Sequence, residues 1–162
     1  MRNFVLITNE HKDENLRLSK KMVDYIVSHG GRARILVSRV ERADEGDFEI
    51  EEIPDETECI FVLGGDGTLI RAATKVESRQ IPLIGVNLGT LGYLCELEES
   101  TVMSAIDRLM HDEYMMEERM MLTGHKYGDS DCRMALNDIV IHRTGDLSIL
   151  SLNVYVNGEL LT

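Results

Sequence analysis

The sequence predicts an α/β fold: a parallel sheet with helices over residues 1–112, then the start of a β-rich second domain over residues 113–162. Three observations predict it. Short apolar runs alternate with segments whose apolar residues recur at helical spacing, the pattern of strands joined by crossover helices. Two of those runs end in turn-rich stretches, Gly64 to Thr68 and Asn87 to Gly92, at the strand ends where open α/β sheets bind ligands. After about Glu113 the helical spacing gives way to β-rich segments, with an Asn157-Gly158 pair of the kind that closes a two-residue hairpin.

Taken in order, Phe4 to Thr8 is an apolar first strand. Glu14 to His29 then sets Leu16, Met22, Val23, Ile26 and Val27 near one helical face, and Gly30-Gly31 stops it. Arg34 to Ser38 is the second strand. Glu41 to Glu58 is acidic with few apolar residues and reads as a solvated connection. Cys59 to Leu63 is the third strand, Thr68 to about Ser78 its helix, and Pro82 to Val86 the fourth strand. If the third and fourth strands are neighbours, the two turn-rich ends line one crevice. This is a Rossmann-like arrangement. Ser100 or Thr101 caps a further helix through Met103, Ile106, Leu109 and Met110. Met120 to Lys126, Met134 to Arg143 and Ser148 to Val156 are the β-rich segments, broken at Gly128 to Asp131 and Thr144 to Asp146, and Glu159 to Thr162 returns from the hairpin.

At 162 residues the chain is one large domain or one domain and part of another, and 43% hydrophobic content is ordinary for a packed core. A formal charge of −12 argues against wrapping duplex nucleic acid or lying on anionic membranes, both of which need clustered Lys and Arg. It does not argue against a small phosphorylated ligand, which depends on local groups. Cys59, Cys95 and Cys132 are odd in number and widely spaced, which favours a reducing compartment. No stretch reaches the ~20 apolar residues of a membrane span. The N-terminal residues are too soon charged for a signal peptide, so the expected location is the cytoplasm. The five histidines show no metal-ligand spacing, and Asp129 and Asp131 lack the further ligands of a Ca²⁺ loop.

Gly64-Gly65-Asp66-Gly67-Thr68 carries the chemistry. Glycines tolerate positive φ and let a ligand approach the main chain closely. A helix opening at Thr68 would offer its unpaired N–H groups and dipole to an anion. A carboxylate beside a phosphate is costly unless it takes a proton or faces a metal ion. Asp66 therefore points to phosphoryl transfer onto a hydroxyl, whose proton it accepts. There is no Walker-type Gly-Lys-Ser/Thr and no Gly-x-Gly-x-x-Gly.

The pentapeptide resembles the signature of the NAD kinase and diacylglycerol kinase superfamily, and two more motifs resemble the NAD kinase branch: Ile84 to Leu94 (IGVNLGTLGYL) and Ala135 to Arg143 (ALNDIVIHR). The Gly-Thr-Gly-Asn-Asp-type sequence of the lipid kinases is missing. The resemblance implies transfer of the terminal phosphoryl group of ATP, or of polyphosphate, to the adenosine-ribose 2′-hydroxyl of NAD, with Mg²⁺ or another divalent cation accompanying ATP. It implies Asp66 as the proton acceptor and places Gly64, Gly65, Gly67, Thr68 and Arg71 at the nucleotide. It implies that Asn137 and Asp138, at a strand start, hold the dinucleotide's ribose hydroxyls, that Tyr93 lies near the adenine, and that Asn87 contacts phosphate or stabilises its own turn. It also implies a homo-oligomer, dimer or tetramer. Family members continue into a second Gly-Asp-Gly segment and a Thr/Ser-rich motif that this chain lacks, so this chain alone is expected to be weakly active or inactive. The alternatives are a non-catalytic nucleotide-binding or regulatory module and, with less support, a lipid kinase of the same superfamily.

Overall fold

The structure is a computed structural model, and it describes residues 1–38, 48–89, 92–128, 130, 132–142, 149 and 151–162. Several sequence expectations fall outside these residues: Glu41 to Asp47 of the acidic connection, Thr90 and Leu91 of the second motif, Asp129 and Asp131, and Arg143 to Ser148.

Five parallel strands form the central sheet: β1 (Asn3–Asn9), β2 (Arg32–Ser38), β3 (Cys59–Gly64), β4 (Leu83–Asn87) and β5 (Leu97–Glu98), in the order β2-β1-β3-β4-β5. β1 and β3 are almost wholly buried, as central strands covered on both faces must be. One apolar layer gathers Leu6, Phe61, Met22, Ile26 and Ile106; the other gathers Ile7, Val62, Ile60, Ala72 and Val76. Successive residues of β1 and β3 alternate between these layers, the two-residue period of a strand.

Among the described residues three α-helices complete the α/β unit: α1 (Arg17–Ser28), α2 (Asp66–Val76) and α3 (Val102–Met110). α1 starts later than its apolar spacing predicts, because Asn15 and Leu16 both take left-handed φ of 55° in a preceding short 3₁₀ turn. Leu18, Met22 and Ile26 are buried, whereas Val27 is 56% exposed and lies off the packed face. The connection before β3 is more than solvated chain: Phe48 and Ile53 are buried and pin it to the sheet, with a Glu49/Glu52 capping box between them. β5 was not legible as a strand, since it is two residues long. Thr101 holds the N-cap position of α3 without a side-chain cap, its hydroxyl bonding the Glu98 backbone instead.

Two small antiparallel pairs follow, β6 (Leu122–His125) with β7 (Cys132–Ala135), and β8 (Tyr155–Val156) with β9 (Glu159–Leu160). The hairpin read from Asn157-Gly158 is present, with φ of 53° and 88° at its two central residues, the double positive φ of a type I′ turn. The other β-rich segments form shorter strands than expected. Met115, Met116, Met120 and Met121 read from sequence as packing at the domain junction, but Met115, Met116 and Met120 are 97%, 62% and 87% exposed and Met121 is only half-buried. Among the described residues no helix is long and apolar enough to cross a membrane.

Candidate active site

The strand order reverses direction between β1 and β3. The chain leaves β1 toward α1 and β2 on one side, and leaves β3 toward α2 and β4 on the other. The two departing turns therefore open a crevice at the carboxyl ends of the strands, which is where sheets of this order bind ligands. A cavity of about 630 Å³ lies there, lined by Asn9 at the end of β1 and Lys12 beyond it, by Gly65, Asp66, Gly67, Thr68 and Arg71 after β3, and by Gly92. A second cavity of about 670 Å³ adjoins it through Lys12 and reaches Asn87, Leu88 and Gly89 after β4. β3 and β4 are neighbours, with Gly64 opposite Asn87. The Leu88 N–H donates to the Gly64 carbonyl at 2.7 Å. The two glycine-rich ends thus line one crevice, as their sequence suggests.

Within the pentapeptide, the strand runs to Gly64 and the helix begins at Asp66, so the carboxylate belongs to the first turn of α2 and not to a loop before it. Gly65 is the N-cap, in extended backbone at φ −136°, and its carbonyl accepts from the Thr68 and Leu69 N–H groups at 2.9 and 3.1 Å. No side chain caps this end. The first N–H groups of a helix have no partner within it, which leaves those of Asp66 and Gly67 without a helical acceptor at the end where anions are favoured.

Positive φ is not what the glycines supply, since Gly64, Gly65 and Gly67 are not among the positive-φ residues. Close approach is. A Cβ on Gly64 would collide with the Thr68 side chain, and one on Gly65 would stand 2.9 Å from Lys12 Nζ. A Cβ on Gly67 would meet nothing within 4 Å, leaving that stretch of backbone open to the cavity.

Asp66 is held by the chain that follows β4. The Tyr93 N–H donates to its Oδ2 at 2.8 Å and the Leu94 N–H to its Oδ1 at 3.2 Å. The Tyr93 N–H does most to keep the carboxyl below its ordinary pKa. Partial burial opposes this, and the N–H groups of Leu94 and Cys95 and the Cys95 thiol add to the lowering. Gly92 makes the approach possible, because a Cβ there would land on the Asp66 carboxylate. In turn, burial and the charge of Asp66 push the Cys95 thiol up to about 11.

The structure brings Gly65, Asp66, Gly67, Thr68 and Arg71 together and moves other expected residues elsewhere. Gly64 is buried at the strand end, where it receives the Thr68 side chain and the Leu88 N–H. Arg71 is exposed, and it takes part in none of the ion pairs among the described residues. Asn87 closes its own turn, its Oδ1 accepting from the Gly89 N–H at 3.0 Å, while lining the second cavity. Tyr93 is fully exposed; its backbone, not its ring, meets the site. Asn137 and Asp138 do not start a strand. They follow the end of β7 in exposed, irregular chain, because the apolar run after them pairs with no other strand among the described residues.

Sequence reading missed Lys12 and Asn9. The signal was their place: they sit at and just after the end of the first strand, whose neighbour at the point of reversal carries the glycine motif.

The family model for the ATP-NAD kinase N-terminal domain matches residues 4–114. The NAD kinase of Agathobacter rectalis is 63% identical over 161 residues, which are 99% of this chain and 57% of that protein. That of Lachnospira eligens is 38% identical over 166 residues, 99% of this chain and 57% of the relative. The crystal structure of yeast NADH kinase complexed with NADH matches at a TM-score of 0.76 and 19% identity, covering all of this chain and 54% of that one; at that identity the likeness is one of fold. The chain thus spans somewhat more than half the length of the curated relatives it matches. With more than half of its residues inside the family model, the chain belongs to the NAD kinase family.

Proposed function

We propose that the protein, at its full natural length, transfers the terminal phosphoryl group of ATP or polyphosphate to the adenosine-ribose 2′-hydroxyl of NAD. The observation that carries this is the position of Asp66: a carboxylate in the first turn of α2, on the same cavity as Gly67 and Arg71. A base, an amide-rich anion cradle and a cation on one wall are what phosphoryl transfer to an alcohol requires.

In this mechanism the N–H groups at the start of α2 and the Arg71 guanidinium hold phosphate oxygens. The 2′-hydroxyl lies within reach of Asp66. Its oxygen forms a bond to phosphorus as the bond to the leaving phosphate oxygen breaks, and its proton passes to Asp66. A carboxyl held below its ordinary pKa is a weak base toward an ordinary alcohol. It accepts the proton late, once bonding to phosphorus has acidified the hydroxyl.

A divalent cation fits this site only as part of the nucleotide. Among the described residues no group of three or more His, Cys, Asp or Glu could cage a metal, and the oxygens of Asp66 already accept backbone N–H groups. Mg²⁺ is commonly held through substrate phosphates with few protein ligands, where it neutralises phosphate charge.

The same reading assigns residues 1–112 to the nucleotide-binding domain and residues 113–162 to the start of a dinucleotide-binding β domain. Asn137 and Asp138 would come to the ligand with that second domain, and the Tyr93 ring would meet the adenine from the first domain, where it is exposed. It also includes self-association and a cytoplasmic location. The test is a coupled assay of the full-length protein offering NAD, a diacylglycerol, ATP and polyphosphate in separate arms, beside calorimetry. Formation of NADP supports the proposal, nucleotide binding without turnover favours a non-catalytic module, and phosphorylated diacylglycerol favours the lipid-kinase alternative.

A further inference from the structure

Lys12 borders both cavities. Its Nζ lies 2.9 Å from where a Cβ on Gly65 would stand and 3.6 Å from where one on Gly89 would stand. The ammonium thus rests over two backbones that leave it room, one after β3 and one after β4. Among the described residues none of the ion pairs engages it. Arg17, on the wall of the second cavity, is by contrast occupied by Glu99 at 2.7 Å. A cation in a concave site that forms no ion pair among the described residues retains its capacity for a ligand anion.

The turn that carries Lys12 is fixed. Its N–H donates to the Asn9 carbonyl at 3.0 Å. The next residue, Asp13, is buried and accepts from the Leu18 N–H at 2.8 Å, the Ser19 N–H at 3.0 Å and the Ser19 hydroxyl at 2.5 Å. The backbone of the lysine is anchored while its four-carbon stem stays exposed.

We propose that Lys12 binds the phosphate chain of the donor and holds its terminal phosphoryl group at the junction of the two cavities, facing Asp66. This rests on the phosphoryl-transfer reading above. The acceptor hydroxyl must lie within reach of Asp66, so the ammonium over Gly65 meets the phosphate that arrives from the other side. Glu14 and Glu98 also line the second cavity, which confines the phosphate chain to its Lys12 edge. In the transfer, the new bond joins the 2′-oxygen to phosphorus, the bond to the bridging oxygen breaks, and its electrons leave with the shortened donor. The proton goes to Asp66. Lys12 remains protonated throughout and offsets charge on the transferring oxygens. ATP and polyphosphate share the chemistry it recognises, a linear run of phosphates.

The test uses the full-length protein and two probes, inorganic tripolyphosphate and ATP, by calorimetry, beside NAD binding and turnover. Lys12→Met is expected to weaken ATP binding by about tenfold or more, the worth of one charge-assisted hydrogen bond. NAD affinity stays unchanged, and KM for ATP rises more than kcat falls. Lys12→Arg keeps the charge and restores most of the affinity. Loss for both probes supports the proposal and admits either donor; loss for ATP alone supports it and selects the nucleotide. Unchanged affinity for both probes in Lys12→Met overturns it, as does a wild type that binds neither, or an equal loss in the Arg variant. Tripolyphosphate binding that depends on Lys12, in a protein that phosphorylates no NAD, sinks the phosphoryl-transfer reading and leaves the lysine's role in phosphate binding supported.

Discussion

The Tyr93 backbone N–H donates to Asp66 Oδ2 at 2.8 Å, across 27 residues of sequence. This bond ties the start of α2 to the chain leaving β4, so the proposed base is also a clamp between two walls of the crevice. Asp66→Asn separates these roles. The amide oxygen still accepts one backbone N–H, but the amide nitrogen faces the other as a second donor. The expected result is a kcat lower by about a hundredfold or more, with a smaller change in ATP and NAD affinity. Steady-state kinetics beside calorimetry checks it, and near-normal turnover removes Asp66 as the base.

Gly92→Ala tests the clamp from the opposite side. Its Cβ would land on the Asp66 carboxylate, so the carboxylate or residues 92–94 must move. Overpacking of this kind costs about 1–3 kcal/mol, which urea unfolding will read, and turnover is expected to fall together with stability.

Gly67→Ala should behave differently. The new Cβ meets nothing within 4 Å, and the residue lies in the first turn of α2, so stability holds or rises by up to about 1 kcal/mol. Phosphate affinity is expected to fall, because the methyl group stands where the ligand would touch backbone. Equal phosphate binding in wild type and variant would remove Gly67 from the cradle.

Stability should drop in acid. Burial pushes the Asp13 carboxyl up, but bonds from the Ser19 hydroxyl, the Leu18 and Ser19 N–H groups and the Thr8 hydroxyl outweigh it and hold the carboxyl below its usual value. Glu58 is lowered chiefly by the Arg2 N–H, and Asp66 by the Tyr93 N–H. A carboxyl lowered on folding binds fewer protons than its unfolded counterpart. Its contribution is therefore complete above the ordinary carboxylate range, near pH 4, and is lost as pH falls through the lowered values. Urea midpoints measured from pH 7 to pH 3 should fall, and Asp13→Ala should flatten the dependence while costing about 2–4 kcal/mol at neutral pH.

The three thiols should react in a fixed order. Cys59 is buried and raised to about 12, and Cys95 is raised to about 11, so both are almost fully protonated and inert at pH 8. Cys132 is exposed. Timed alkylation with mass spectrometry should label Cys132 first, and prior labelling of Cys95 would contradict the packing around Asp66.

How far the sequence could be read depended on the range of the forces involved. β1, β3 and β4 were legible because unbroken apolar runs such as Cys59 to Leu63 suit strands buried on both faces. The Asn157-Gly158 hairpin was legible because its turn is a local preference. β5 was not, since two residues carry no periodicity and Leu97 pairs with Val86 only once the sheet exists. The start of α1 was misplaced because Asn15 and Leu16 take left-handed backbone while the buried Asp13 carboxylate accepts the Leu18 and Ser19 N–H groups, a local arrangement that apolar spacing does not carry. The pentapeptide gave Asp66 and its glycines, but not their reason. The small size of Gly64 and Gly65 makes room for Thr68 and Lys12, and that of Gly92 makes room for Asp66, which local propensity does not settle. Asn137 and Asp138 were expected at a strand start from the apolar residues after them, and those residues pair with no other strand among those described.

The reversal of winding along the sheet between β1 and β3 has a thermodynamic consequence. A molecule lodged in that crevice touches three stretches far apart in sequence, at residues 9–12, 65–71 and 92. Occupancy would thus slow amide exchange in all three at once, and the protein would melt as a more tightly coupled unit when saturated than when empty.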